Sequence, residues 1–149
     1  MPRRTEALLD SNVLIAALVV AHPHHAASVA LFGPSGPHRF AVASHSFAET
    51  FSTLTRRGGR IGYAWPPEIA WRSLEPISAF VTLMGLTPAQ TLDAIGAYAA
   101  SGGVGPRLYD RLIGEVAVVH GFKRIVTWNV QHFRGLFPGL EIVTPAEVT

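Results

Sequence analysis

Leu8-Leu9-Asp10-Ser11-Asn12-Val13-Leu14-Ile15 places one carboxylate where an apolar strand gives way to an apolar helix. A charge beside a core costs several kcal/mol unless it is paired or binds a metal. Ligands of open parallel sheets gather at the carboxyl ends of strands. The stretch therefore reads as the first strand–helix unit of an α/β fold, with Asp10 as a site residue.

Outward from this unit the same alternation repeats. Glu6 to Leu9 reads as the strand and Asn12 to Val20 as its helix. His24 to Phe32 predicts a second helix closed by the turn Gly33-Pro34-Ser35-Gly36-Pro37. Arg39 to Ala43 leans to strand, and Ser44 or Ser46 is the expected cap of a helix carrying Phe47, Phe51 and Leu54 on one face. Gly58-Gly59 should end it. Pro66-Pro67 opens a helix to about Leu74, Ile77 to Met84 reads as a strand, and Thr87-Pro88 starts a helix to about Ala100. After the loop Gly102-Gly103-Val104-Gly105-Pro106, Leu112, Ile113, Val116 and Val119 recur at helical spacing within Leu108 to His120. Lys123 to Thr127 and Glu141 to Thr144 complete the strands, with a short helix around Gln131 to Phe133 between them. Such alternation predicts a three-layer α/β/α domain over residues 1–149 with a mainly parallel central sheet.

Composition narrows the chemistry. With 48% hydrophobic and 15% charged residues in 149, the chain has ample material for one core. The absence of cysteine excludes disulfides, thiolate metal sites and a cysteine nucleophile, and suits a cytoplasmic protein. Arg3-Arg4 before Val13 to Ala21 resembles a secretory signal only superficially, because Asp10 and Asn12 intervene and nine apolar residues cannot span a bilayer. No membrane association is expected. A net charge of +2 does not make a polycation that holds nucleic acid by charge alone. Yet arginine outnumbers lysine eleven to one, and Arg56, Arg57, Arg60, Arg107 and Arg111 are candidates for phosphate contacts through their planar forks.

Three acids occupy comparable places. Asp10 follows a strand, Glu49 lies early in a helix after a strand, and Asp110 sits in the first turn of a helix after a glycine loop. Asn129 follows another strand and adds a neutral oxygen at the same edge. Magnesium and manganese favour such oxygen donors, and three carboxylates gathered in one cleft imply a cation. Singly, each residue also has an ordinary explanation: a helix cap for Asp10, an exposed helix position for Glu49, dipole compensation for Asp110, a turn for Asn129. Their joint placement at strand ends favours a site. Other motifs carry less. His22, His24 and His25 around a proline suit a solvent-facing helix start better than zinc, and Ser44-His45-Ser46 lacks a nucleophile elbow. The glycine loop lacks the lysine and serine of a P-loop. Asn12 stands where an aspartyl phosphatase would need a second aspartate.

Four blocks then resemble, in order, the motifs of PIN-domain ribonucleases. They are Leu8-Leu-Asp10-Ser-Asn-Val-Leu-Ile15, Ser44-His-Ser-Phe-Ala-Glu49-Thr-Phe51, Leu108-Tyr-Asp110-Arg-Leu-Ile-Gly-Glu-Val-Ala117, and Val126-Thr-Trp-Asn129-Val-Gln-His-Phe133. The nearest likeness is to VapC-type toxins of bacterial toxin–antitoxin pairs, over almost the whole chain. The resemblance implies hydrolysis of RNA phosphodiesters to 5′-phosphate and 3′-hydroxyl ends, with Asp10, Glu49 and Asp110 binding Mg²⁺ or Mn²⁺ and no protein nucleophile. Asn129 stands where the family often has aspartate, which implies weaker binding of a second ion. Asn12 and Thr127 match polar positions that support the acids or a water. A homodimer is implied as well, and an antitoxin whose tail covers the acidic cleft with a basic residue. An RNA-processing nuclease without an antitoxin and a non-catalytic RNA- or protein-binding module remain the alternatives.

Overall fold

The computed structural model describes residues 6–33, 39–58 and 62–148. The elements run β1 (Ala7–Leu9), α1 (Ser11–Leu18), α2 (His25–Ala30), β2 (Phe40–Ala43), α3 (Ser44–Thr55) and α4 (Pro67–Leu74). They continue with β3 (Thr82–Met84), α5 (Pro88–Ala100), α6 (Leu108–Val119), β4 (Arg124–Val126), α7 (Val130–Leu136) and β5 (Glu141–Val143). Five strands form one sheet in the order β3-β2-β1-β4-β5, and every pairing is parallel. The chain builds outward from β1 through β2 and β3, then crosses to β4 on the other side of β1. A crevice opens where the winding reverses, at the carboxyl ends of β1 and β4.

Strand residues alternate between two cores, as the period of a strand requires. Ala7, Leu9, Phe40, Val42, Val126 and Val143 pack with Val13 and Leu14 of α1 and with Leu31. Leu8, Ala41, Ala43, Ile125 and Ile142 face Ile113, Val116 and Ala117 of α6, with Phe133 and Phe137. Helices thus cover both faces, which is why the strands read as unbroken apolar runs. A third cluster of Val19, Leu54 and Ala70 ties the end of α1 to α3 and α4.

Several local signals act as expected. Thr87 and Gln90 form a reciprocal capping box with Pro88 at the first helical position, and Gly121 takes a positive φ of 76° just past α6. Three expectations differ. Only Thr82–Met84 of the stretch Ile77 to Met84 is strand, because Glu75–Ala79 winds into a 3₁₀ turn with Pro76 in its first positions. Neither Ser44 nor Ser46 caps α3: Ala43 holds that position without a side-chain bond, Ser44 donates to the Met84 carbonyl, and Ser46 is buried. The short helix after β4 is longer than expected, spanning Val130–Leu136. The expected turn from Pro34 onward, Arg3, Arg4, Gly59 and Arg60 lie outside the described residues. Among the described residues no helix is long and apolar enough to cross a membrane.

Packing between α6 and the α7 end leaves no room at Gly114, where an added Cβ would fall inside the Phe137 ring. Gly114→Val is expected to destabilise the fold by about 1–3 kcal/mol through overpacking. Urea unfolding checks this, and an unchanged midpoint would refute it.

Candidate active site

Asp10 is the last residue before α1 and lies only 2% exposed at the winding reversal. Its backbone N–H donates to the Val126 carbonyl at 2.9 Å, so the β1–β4 ladder itself fixes where the carboxylate emerges. Oδ1 accepts from the Ser11 N–H at 2.7 Å and from the Ser11 hydroxyl at 3.3 Å. Oδ2 accepts from the Thr127 hydroxyl at 2.7 Å. That hydroxyl in turn accepts from Asn12 Nδ2 at 3.2 Å and from the Asn129 N–H at 2.9 Å. Asn12 Oδ1 accepts from the Trp128 N–H at 3.2 Å, which pins the start of α1 to the segment after β4. Asp10 is therefore a helix cap and much more than one, and Asn12 and Thr127 form its support. Burial pushes its pKa up to about 6 against these stabilising hydrogen bonds, with the Asp110 charge adding to the rise.

Glu49 and Asp110 reach the same crevice from α3 and α6, each half-buried. Burial, then the charges of Asp10 and Asp110, raise Glu49 to about 7, opposed by the Ser11 hydroxyl. Asp110 is raised by burial and held back by His132 and Arg107. The three acids thus feel one another across a single crevice. A cavity of about 500 Å³ lies along it, with Glu49, Asp110, Tyr109 and Arg56 in its lining.

Two histidines that sequence reasoning had not placed in the site stand beside these acids. His45 Nε2 is 3.2 Å from Glu49 Oε1, one turn away on α3, yet both atoms are buried without a hydrogen bond of good geometry. Burial lowers the His45 pKa while it raises that of Glu49, so the contact favours neutral partners over an ion pair. The spacing of four between His45 and Glu49 was a readable signal. His132 Nδ1 lies 3.6 Å from Asp110 Oδ2. Only the packing of α7 on α6 brings that pair together.

The remaining candidates are distributed unevenly. Asn129 is exposed at the start of α7, where its side chain makes no capping bond. Arg56 borders the acid cavity, Arg57 is exposed at the end of α3, and Arg107 lies 3.3 Å from His132 Nε2. Arg111 turns elsewhere: it binds Glu115 at 3.0 Å and covers the Phe137 ring at 5.1 Å. Among the described residues no three histidine, aspartate or glutamate side chains already stand in metal-holding geometry. The donor set still suits a hard cation. Glu49 Oε1 is a buried carboxylate oxygen without a hydrogen-bond partner, and beyond burial the charges of Asp10 and Asp110 raise Glu49 further, as that of Asp110 does Asp10.

With this arrangement established, the comparisons define the class. The PIN domain pattern matches residues 7–134, and the chain belongs to the PIN-domain family. Its fold is shared by VapC20 of Mycobacterium tuberculosis, described as a sarcin-ricin loop cleaving toxin, at 18% identity and a TM-score of 0.61, covering 80% of this chain and 87% of that one. A DNA-bound VapBC structure from Salmonella typhimurium matches at 23% identity and a TM-score of 0.66, over 95% and 99% of the two chains. FitAcB from Neisseria gonorrhoeae matches at 18% identity and a TM-score of 0.63, over 93% and 97%. No curated protein sequence matches the chain.

The raised carboxyls make a prediction about stability. Asp10 binds its proton more tightly folded, at about 6, than unfolded, near 3.8, and Glu49 shifts the same way from 4.5 to about 7. The contribution of these two groups to metal-free stability should therefore be fully present below about pH 4 and be lost between about pH 4 and 7, with Asp10 alone accounting for a loss of about 3 kcal/mol that is complete once pH passes about 6. Asp10→Asn should remove the share of the loss that belongs to Asp10, leaving that of Glu49, and be the more stable protein at pH 8. Urea midpoints in EDTA at pH 4 and pH 8 provide the check, and equal pH dependence in both proteins would contradict it.

Proposed function

We propose that this chain is a divalent-metal-dependent endoribonuclease and the toxin of a type II toxin–antitoxin pair, acting in the cytoplasm. The observation that carries the reading is the electrostatic coupling of Asp10, Glu49 and Asp110 at the winding reversal of the sheet. Membership of the PIN family supports it, as do the neighbours described as a loop-cleaving toxin and as VapBC. Mg²⁺ or Mn²⁺ held by these three acids would acidify a water and offset charge on the scissile phosphate.

The chain's own groups prepare that site. Ser11 and Thr127 fix both oxygens of Asp10, so its orientation does not depend on a ligand. Glu49 keeps one buried oxygen free of hydrogen bonds, and Asn129 adds an uncharged amide at the end of β4. The neutral amide limits the negative charge available to a second ion. Arg56, in the lining of the acid cavity, is the proposed contact for a backbone phosphate on the α3 side, with the exposed Arg57 next to it in sequence. An antitoxin chain and a second copy of this chain are the proposed protein partners.

RNA cleavage should require added Mg²⁺ or Mn²⁺ and stop with EDTA. Asp10→Asn, Glu49→Gln and Asp110→Asn should each lower the rate by about 100-fold or more, equivalent to about 3 kcal/mol of barrier. Cleavage of labelled RNA indifferent to both EDTA and Asp10→Asn would refute the proposal. The ion should also stabilise the wild type at pH 8, by about 3 kcal/mol at a hundredfold excess over its Kd, and leave Asp10→Asn much less affected. Thermal unfolding with and without the ion measures the difference.

A further inference from the structure

A crevice lined by carboxylates repels the polyanion it is proposed to cut, so cationic groups must hold the strand nearby. We propose that the cavity between the loop after α5 and helix α7 is a subsite for a backbone phosphate of RNA, adjoining the acid cluster. This deepens the nuclease reading and takes its substrate class from it.

The cavity measures about 500 Å³, room for a nucleotide-sized group, and no carboxylate is among its lining residues. Arg107 and His132 line it side by side, with Nη2 of one 3.3 Å from Nε2 of the other. If the guanidinium donates there, the imidazole accepts through Nε2 and turns its Nδ1–H to Asp110. The guanidinium keeps further donors for an anion, and the exposed Gln131 amide adds another on the same lining. The far wall is built rigidly. The Tyr98 hydroxyl donates to the Val104 carbonyl at 2.8 Å, and its ring packs on Gly103, where a Cβ would lie 2.5 Å from ring carbons.

His132 forms part of this lining and also stands 3.6 Å from Asp110, so the subsite and the acid cavity share a wall. The acid cavity itself carries Arg56 in its lining. A strand running from one cavity into the other would meet an arginine in each, as a chain carrying a phosphate at every linkage can. An acidic peptide fits less well, because its charges stand at the ends of flexible side chains and not, as in RNA, at every backbone linkage. Arg111 does not compete, being held by Glu115.

The test is binding of a fluorescent 2′-O-methyl oligoribonucleotide to the full chain in EDTA, read by anisotropy across a salt series. Arg107→Gln should weaken binding about fivefold at low salt and reduce the slope of log Kd against log salt by about 0.7. Gly135→Leu keeps every charge but fills the cavity from a position where an added Cβ meets nothing within 4 Å, and it should weaken binding too. Arg72→Gln on α4 is the control and should change neither. Unaltered affinity and slope in Arg107→Gln would overturn the subsite. So would poly-glutamate competing as well as RNA and losing its hold in the same variants, which would assign the cavity to a protein partner. Neither metal nor cleavage enters this measurement, so its failure is separable from failure of the nuclease reading, which the cleavage assay decides.

Discussion

The structure turns on one buried carboxylate. Asp10 sits between two central strands, where the backbone ladder of β1 and β4 leaves its side chain nowhere to go but the crevice. Thr127 and Ser11 compensate part of the cost of its burial, and its raised pKa records what remains uncompensated. A core chosen for stability alone would replace it with an apolar residue. Its place beside two further raised acids marks an electrostatically strained site.

The surrounding groups hold that tension in place. Asn12 spans from α1 to the Trp128 backbone, so the first helix and the segment after β4 cannot drift apart without breaking the bonds that orient Asp10. Glu49 and Asp110 are less constrained, each beside a histidine on the margin of the crevice. The consequence is a site with one fixed anchor and two acids of greater freedom. That division explains why the acids interact electrostatically yet do not form a ready cage among the described residues.

Legibility varied by residue for physical reasons. Asp10 was readable because a charge interrupting an apolar run is costly wherever the chain folds. Asn12 and Thr127 were readable as supporting positions, but their shared role as a bracket depends on contacts across more than a hundred residues. His45 had a local signal, four residues before Glu49 on one helix face. His132 had none, since its place beside Asp110 and Arg107 follows from how α7 lies on α6. Arginines clustered in sequence diverge in space: Arg107 faces a cavity while Arg111, one turn later, is drawn to Glu115.

The sequence by itself determined the alternation of strands and helices, the parallel sheet and Asp10 at the end of the first strand, because periodicity, caps and turn residues act over a few neighbours. It could not shorten the strand expected at Ile77 to Met84 to Thr82–Met84, where a 3₁₀ turn after Pro76 competes with pairing to β2. Tertiary structure alone decided the strand order, the crevice between β1 and β4, and which side chains share it. Those outcomes depend on long-range packing of two apolar faces, which no local stretch of chain encodes.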